Sequence, residues 1–198
     1  MPDKNLRLVV GLGNPGDTYT ATRHNIGFMV LEAVADRFGI ALNRRKFNVI
    51  LGRGAIDKSA VVLAEPQAFM NRSGPPVQQL ANYYRILCED VLVIHDDIDL
   101  TFGRLKIKEK GGHGGHNGVR SLIDALGGGD FVRLRIGIGR SDNGDGVADH
   151  VLGRFNAQEQ GVLPDVILRA REAVETILRK GTKEGMNRFN NTSVINSS

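Results

Sequence analysis

The sequence has few of the features that mark secreted or membrane proteins. It contains one cysteine, Cys88, so a disulfide bond within the chain is excluded. No stretch approaches the length of a transmembrane helix, and the N-terminus lacks the sustained apolar segment of a signal peptide. We therefore expect a soluble, cytoplasmic protein that does not bind membranes. Cys88 follows the apolar Leu87 and is expected to pack as a small hydrophobic side chain rather than act as a nucleophile.

The chain also lacks internal repeats, low-complexity segments and a strong excess of one charge. It has 26 basic and 22 acidic residues among 198, a formal net charge of +4, and 41% hydrophobic residues. This length and composition are typical of one globular domain with a substantial core. We predict one domain over residues 1–190 and a frayed tail over residues 191–198.

The hydrophobic pattern alternates between strands and helices. It predicts strands at 6–10, 48–53, 60–64, 91–95, 104–108 and 132–138, and helices at 26–38, 75–85, 117–126 and 165–180. The connections include both hairpin-like turns and longer crossovers. The predicted fold class is therefore α/β: a single-domain α/β/α sandwich with a mixed, largely parallel twisted sheet. The polar residues 141–149 are predicted to form a mobile loop, with a role as a lid as a hypothesis.

A polar segment directly follows the first predicted strand. It contains Asn14, Tyr19 and His24, and glycine and proline residues end the strand in a tight turn. Polar side chains at such a turn can face a cleft above the sheet. These three residues are the first candidates for an active site.

The same segment matches the glycine spacing of a dinucleotide-binding turn. Gly11, Gly13 and Gly16 satisfy G-x-G-x-x-G, but in that motif a helix begins at the last glycines and an acidic residue ends the next strand. Here the helix is predicted to begin near Ile26, and the strand at 48–53 ends without an acid. The sequence therefore does not favour a nucleotide cofactor.

A second polar cluster occupies residues 69–74. Asn71 is a candidate donor to a developing oxyanion, and Phe69 and Met70 are candidates for an apolar wall. The alternative is a helix start capped by Ser73.

Acidic residues lie at the carboxyl end of the predicted strand that reaches His95, where α/β proteins bind ligands. A carboxylate there, such as Asp96, can hold one tautomer of an imidazole from another loop and make His24 a general base. The alternative is a metal site formed by His95, Asp96, Asp97 and Asp99. On an extended segment, however, consecutive side chains alternate between faces, so few of them reach one ion.

The glycine-rich segment 111–118 has the most unusual composition in the chain. Glycines allow the backbone to approach a ligand and leave amide groups exposed to an anion at the start of the next helix. His113 and His116 are candidates for a metal pair, a phosphate contact or helix capping. Asn117 is either the plain N-cap of the helix or a functional residue.

Basic residues alternate along the predicted strand near residue 106. Arg104, Lys106, Lys108 and Lys110 would lie on one face of that strand. Such a stripe fits the phosphate backbone of a nucleic acid. It also fits a solvated edge strand whose charges prevent aggregation.

Taken together, the motifs resemble those of the bacterial peptidyl-tRNA hydrolases. The matching segments are Gly-Leu-Gly-Asn-Pro-Gly at 11–16, Thr-Arg-His-Asn at 22–25, Phe-Met-Asn-Arg-Ser-Gly at 69–74, His-Asp-Asp-Ile-Asp-Leu at 95–100, Gly-Gly-His-Gly-Gly-His-Asn-Gly at 111–118, Arg-Leu-Arg-Ile-Gly-Ile-Gly at 133–139 and Val-Leu-Gly-Arg-Phe at 151–155. They follow the family's order and cover nearly the whole chain. Each motif alone would be weak evidence, but the ordered set is highly specific.

The resemblance implies a monomeric esterase that uses no metal or other cofactor. Such an enzyme cleaves the bond between a peptide and the tRNA ribose and so returns tRNA to translation. His24 matches the family's general base, Asp96 the carboxylate that supports it, and Asn14 the position that distinguishes N-blocked from free aminoacyl-tRNA. The positions expected to contact the tRNA end or the peptide are Tyr19, Phe69, Met70, Asn71, His116 and Asn117.

An RNA substrate also changes the interpretation of the basic stripe. It favours phosphate contacts for Lys106 and Lys108, and for Arg133 and Arg135 on the following strand, over a merely solvated edge.

Two other classes of function are alternatives. Plant organelles contain relatives of this family that act as RNA-splicing factors, but these are expected to carry a large apolar partner-binding patch and an organelle transit peptide, which this N-terminus lacks. A nucleotide-dependent oxidoreductase would instead bind its cofactor in a fluorescence titration. The intact set of Asn14, His24, Asp96 and Asn117 favours the hydrolase.

Overall fold

A computed structural model describes residues 6–141 and 146–190 of the chain. The predicted tail at 191–198 and part of the predicted mobile loop, residues 142–145, lie outside the described residues. The strands are β1 (Arg7–Gly11), β2 (Arg44–Lys46), β3 (Val49–Ile56), β4 (Ser59–Pro66), β5 (Val91–Asp97), β6 (Leu105–Lys108) and β7 (Val132–Gly137). The α-helices are α1 (Ile26–Phe38), α2 (Gly74–Tyr84), α3 (Asn117–Leu126), α4 (Val147–Leu152), α5 (Ala157–Lys180) and α6 (Thr182–Phe189).

The strands form one mixed sheet in the order β2-β3-β4-β1-β5-β7-β6. The central strands β4, β1, β5 and β7 pair in parallel, whereas β2, β3 and β6 join through antiparallel pairs at the two edges. Helices α1, α5 and α6 cover one face of the sheet, and α2 and α3 cover the other. The predicted fold class, an α/β sandwich with a mixed sheet, is confirmed.

Each face of the sheet packs into its own hydrophobic layer. Along β1, Leu8 and Val10 face the layer beneath α2 and α3, while Val9 faces the layer beneath α1 and α5. β5 is buried along its whole length because helices cover both of its faces. Among the described residues, no helix is both long and apolar enough to cross a membrane.

Close packing of β1 against α1 accounts for the first glycines of the chain. A Cβ atom on Gly11 would lie 2.5 Å from the carbonyl oxygen of Gly27 on α1, so any side chain there would clash with backbone. The helix begins at Ile26, as predicted, and follows a short 3-10 turn at Arg23–Asn25. This packing places the His24 turn at the sheet edge where the parallel strands β1, β4 and β5 all end.

Four elements differ from the sequence prediction. α6 was missed because its surroundings are rich in Asn and Ser, yet its Phe189 is fully buried in the core. α5 begins at Ala157 rather than near 165 because a capping box between Asn156 and Glu159 starts the helix before Pro164. α4 lies partly within the predicted loop 141–149, and the basic residues of β2 carried no strand signal.

Glu65 on β4 is a buried carboxyl group whose Oε1 atom has no hydrogen-bond partner among the described residues. Burial, and to a lesser extent the charge of Glu32, raises the pKa of Glu65 to about 8. In the unfolded chain a Glu ionises near pH ~4.3. Between these two values unfolding releases a proton, so the folded state loses stability as the pH rises.

Glu65→Gln is therefore expected to stabilise the fold in a pH-dependent way. The substitution removes a cost on the order of a few kcal/mol at pH 8 but almost none near pH 4, which corresponds to a gain in Tm of roughly 5 °C or more at the higher pH. Thermal unfolding at several pH values, with the exposed Glu184→Gln as the matched control, measures this. An equal change in Tm at every pH would contradict the assignment.

Candidate active site

A cavity of about 870 Å³ opens at the carboxyl ends of the central strands. The polar segments that follow β1, β4 and β5 lie at the same edge of the sheet, and each of them forms part of the cavity wall. The predicted site residues that line it are Asn14, Tyr19, His24, Phe69, Met70, Asn71, Asp96, Lys108, His116, Asn117 and Arg135. Lys106, the remaining predicted contact, does not line this cavity.

His24 and Asp96 form a buried pair at the floor of the cavity. The Nδ1 atom of His24 lies 2.8 and 2.9 Å from the two carboxyl oxygens of Asp96. Burial alone would raise the pKa of Asp96, but the facing imidazoles of His24 and His116 hold it well below its usual range. Asp96 is therefore a carboxylate at any working pH. The contact between the two residues is present, whereas the role of His24 as a base stays a prediction.

His116 contributes a second imidazole to the same carboxylate. Its Nε2 lies 2.8 Å from Oδ1 of Asp96, and its Nδ1 accepts from the backbone N–H groups of Gly118 and Val119. An Nδ1 that accepts carries no proton, so Nε2 is protonated and donates to Asp96. His116, and not Asn117, is thus the N-cap of α3, and the plain N-cap interpretation of Asn117 was wrong.

This network defines the tautomer of His24. Asp96 can only accept, so Nδ1 of His24 carries the proton that it donates. Nε2, on the far side of the ring, keeps its lone pair in the neutral form. The arrangement offers a base to the cavity and a fixed negative charge that stabilises the imidazolium formed after proton uptake.

Asn14 is held by two neighbouring segments. Its side-chain oxygen accepts from the backbone N–H of Met70 at 2.8 Å. Asn25, which is almost fully buried, bonds both the N–H and the carbonyl of Asn14 at 2.9 Å. Because Oδ1 is occupied, Nδ2 is the atom of the Asn14 side chain available to a ligand. The sequence did not distinguish Asn25 as a support of Asn14.

The acidic residues after Asp96 do not converge on one ion. Asp97 pairs with Arg135 and accepts from the backbone of Asp99, which itself pairs with Arg140. The imidazole of His95 donates through Nδ1 to the carbonyl of Asp96, and burial lowers its pKa well below the usual value. Strand alternation and local ion pairs thus keep His95, Asp96, Asp97 and Asp99, the four members of the alternative metal site, from meeting at one point.

Among the described residues, a different group of potential ligand atoms is close enough to share an ion. The nitrogen and oxygen atoms of His24, Asp96 and His116 lie within 4.8 Å of one another. In the structure the same atoms are joined by N–H hydrogen bonds to the carboxylate, which satisfy the donors without an ion.

The basic residues of β6 and β7 divide into exposed and structural ones. Lys106 and Lys108 are exposed. In the strand register they lie opposite Arg135 and Arg133, so all four side chains are on the same face of the sheet. Arg133 is buried and binds the carbonyls of the glycine segment, with Nη1 2.6 Å from the Gly112 oxygen. Arg133 also lines the cavity, but these carbonyls already occupy its guanidinium, so its expected phosphate contact stays a prediction.

The apolar side of the cavity combines predicted and unpredicted residues. Phe69 is 57% exposed and meets Tyr19 edge to face at 6.3 Å, while Met70 is buried. Ser73 does not cap α2, since its hydroxyl donates to the carbonyl of Met70. α4 contributes further lining residues to the cavity, namely Val147, Ala148, Val151 and Leu152. A helix of six residues beside a polar segment is too short to show a recognisable helical pattern in the sequence.

Cys88 lies outside the cavity lining and packs, half-buried, against the layer of α2 and α3. Burial raises the pKa of its thiol, which is the opposite of what a nucleophile requires.

Comparison with known proteins gives one consistent result. The chain matches the model of the peptidyl-tRNA hydrolase family over residues 8–197. It is 48% identical to the peptidyl-tRNA hydrolase of Syntrophotalea carbinolica, over 94% of this chain and 97% of that protein. It is 46% identical to that of Caldanaerobacter subterraneus subsp. tengcongensis, over 92% of this chain and 98% of the relative.

The structure agrees with the sequence comparison. The crystal structure of peptidyl-tRNA hydrolase from Acinetobacter baumannii superposes with a TM-score of 0.89 at 41% sequence identity, and the match covers 96% of each chain. Since both the sequence and the architecture match over nearly the full length, the chain belongs to the peptidyl-tRNA hydrolase family of enzymes.

Proposed function

We propose that this protein hydrolyses the ester bond between peptide and tRNA in peptidyl-tRNA, with a water molecule activated by His24 and without a metal. Family membership supports the reaction. The observation that carries the mechanism is the buried Asp96 carboxylate, which holds His24 with its Nδ1 protonated and its Nε2 free to accept a proton. We further propose that the protein works as a monomer in the cytoplasm, where its substrate arises.

The reaction needs two proton transfers, one from water to His24 and one from His24 to the leaving ribose oxygen. Nε2 of His24 takes a proton from water as the water oxygen attacks the ester carbonyl, and the carbonyl electrons move to its oxygen. The tetrahedral intermediate then collapses, the ribose oxygen leaves with the electron pair of its bond, and the imidazolium returns the proton to it. The products are a peptide with a free carboxyl group and free tRNA. A positioned base of this kind contributes about 10²–10⁴-fold to the rate.

Amide side chains around the cavity supply the polar contacts that the substrate needs. Asn71 lies exposed in the 3-10 turn Met70–Arg72 and can donate to the oxyanion of the intermediate. Asn117 opens α3, where the helix dipole also favours negative charge. Phe69 and Tyr19 form an aromatic surface for the tRNA end or for the adjoining peptide side chain.

Asn14 is proposed to select the N-blocked substrate. Its Nδ2 can donate to the carbonyl of a peptide or N-acetyl group, whereas a free α-ammonium has only donors and offers no acceptor. Asn14→Asp keeps the oxygen that Met70 binds and removes this donor. We expect kcat/KM for N-acetyl-aminoacyl-tRNA to fall about 10- to 100-fold, with a smaller loss for the free aminoacyl form. An unchanged ratio between the two substrates would remove Asn14 from this role.

Contacts to RNA phosphates are proposed for Lys106, Lys108 and Arg135. β6 is an edge strand, which is compatible both with phosphate binding and with a merely solvated edge. Lys108 and Arg135 also line the cavity, and this favours phosphate binding. Lys108 and Arg135 therefore add positive charge to the cavity, and Lys106 lies exposed beside Arg135 on the same face of the sheet.

Lys106→Ala and Lys108→Ala are expected to weaken tRNA binding in a salt-dependent way. Each lost phosphate contact lowers the slope of log K against log salt by about 1. Lys58→Ala, in the exposed turn between β3 and β4 at the opposite end of the sheet, serves as the control. Slopes equal to that of Lys58→Ala would assign the stripe to the solvated edge instead.

Release of free tRNA tests the proposed function directly. N-acetylated and free aminoacyl-tRNA are compared in the presence of EDTA, with His24→Ala as the negative control. Selective cleavage of the blocked substrate that EDTA leaves unchanged and the variant lacks supports the proposal. Salt-sensitive tRNA binding without cleavage of either substrate would instead indicate a non-catalytic RNA-binding protein.

A further inference from the structure

Two motifs that are remote in sequence meet beside the active site. The Thr22–Asn25 motif, which contains His24, packs against the Val151–Phe155 motif at the end of α4. The backbone N–H of Arg23 donates to the carbonyl of Gly153 at 3.0 Å, and Thr22 forms an antiparallel bridge with Arg154. Arg23, Gly153 and Arg154 have no part in the mechanism described above.

The side chain of Arg23 ties the two motifs together. Its Nη2 lies 2.7 Å from Oε2 of Glu159, its Nε lies 3.3 Å from Oε1, and its Nη1 donates to the carbonyl of His150 at 3.3 Å. The guanidinium also lies 5.8 Å from the ring centre of Phe155. The side chains of Arg23 and Glu159 are only 10% and 13% exposed, so this is a buried, forked ion pair and not an ordinary surface contact.

Glu159 is held in place by the start of α5. Its Oε2 accepts from the backbone N–H of Asn156 at 2.7 Å, and its own N–H donates to the Asn156 side chain at 2.8 Å. Gly153 leaves space for the guanidinium, because a Cβ there would lie 3.0 Å from Nη1 of Arg23. The end of α4, the start of α5 and the His24 turn thus converge on one arginine.

This convergence links two walls of the cavity. α4 forms the wall lined by Val147, Ala148, Val151 and Leu152, and the turn packed against α4 holds His24, which follows Arg23 directly in the chain. A base must be aligned with its proton within a fraction of an ångström, and support by fixed neighbouring groups is how proteins achieve this.

We propose that Arg23 and Glu159 form a positioning pair that couples the α4 wall of the cavity to the orientation of His24. The proposal rests on the proposed role of His24 as the base. An arginine is required because the pair uses the planar fork of the guanidinium and a further N–H for the His150 carbonyl. A lysine ammonium cannot satisfy these acceptors in the same geometry.

Steady-state kinetics of Arg23→Gln, Arg23→Lys and Glu159→Gln test the coupling. We expect kcat to fall about 10- to 100-fold while KM changes by less than severalfold, and we expect Arg23→Lys not to restore kcat. The double variant Arg23→Gln/Glu159→Gln should be no slower than either single variant, since both remove the same pair. Arg179→Gln is the matched control, because Arg179 forms an exposed pair with Glu175 on α5.

A second readout does not depend on activity. The NMR signal of the His24 Nδ1 proton reports its hydrogen bond to Asp96 in the free protein. This signal should move in Arg23→Gln, in Glu159→Gln and in the double variant, whose net charge equals that of the wild type, and should not move in Arg179→Gln. Variants with a lower Tm but with wild-type kcat and a wild-type Nδ1 proton signal would overturn the proposal and leave the pair a purely structural one. A wild-type protein that fails to cleave peptidyl-tRNA overturns the proposed function, whereas the Nδ1 proton signal still decides whether Arg23 positions His24.

Discussion

His24→Ala is expected to reduce turnover of N-acetyl-aminoacyl-tRNA to near the background rate. The alanine removes the imidazole that is proposed to take a proton from water, at an expected cost of about 10²–10⁴-fold in kcat. Affinity for the substrate should change by no more than severalfold. The contacts proposed for the tRNA phosphates and the peptide involve other residues, so these contacts should survive the substitution.

Two measurements separate this expectation from a general loss of structure. Equilibrium binding of a non-hydrolysable peptidyl-tRNA analogue should remain close to that of the wild type. His24→Asn should be as inactive as His24→Ala, because an asparagine amide can still donate to Asp96 but offers no basic nitrogen to water. Retention of most activity in either variant would remove His24 as the base.

Asp96→Asn is expected to lower kcat by a comparable factor through a different route. The carboxylate accepts from His24 and His116 at once, and in the proposed mechanism its charge stabilises the imidazolium. An asparagine is neutral and presents one donor and one acceptor, so at least one imidazole faces the wrong partner or adopts the wrong tautomer. In Ser-His-Asp hydrolases the same change costs about 10⁴-fold, and we expect about 10²–10⁴-fold here.

The pH profile of kcat/KM is the measurement that identifies this role. Loss of the negative charge disfavours the protonated imidazole, so the acidic limb of the profile should move to lower pH in Asp96→Asn. The Tm should stay close to that of the wild type because the substitution preserves the shape of the side chain. A slower enzyme with an unchanged pH profile would show that Asp96 does not act through His24.

Local patterns account for most of the architecture. The bounds of α1 and α3 follow from apolar residues at helical spacing that end at Gly39 and Gly127, both of which adopt the left-handed conformation. The central strands are continuous apolar segments because helices cover both of their faces. Where long-range contacts outweigh local preference, the prediction fails. Phe189 draws α6 into the core from a polar segment, and the capping box at Asn156 starts α5 ahead of Pro164.

The candidate site shows the same division. The sequence contains the side chains of a base, a carboxylate and several amides, and their positions after strands place them at one sheet edge. What the sequence does not contain is their mutual orientation, since His24 and Asp96 are 72 residues apart and Arg23 and Glu159 are 136 apart. The protonation of His116, the clamp of Asn25 on Asn14 and the burial of Arg133 under the glycine loop all arise from such distant contacts. Residue types and local periodicity are properties of a chain segment, but a tautomer or a hydrogen-bond direction is defined by the partner atom, which the folded backbone alone brings within reach.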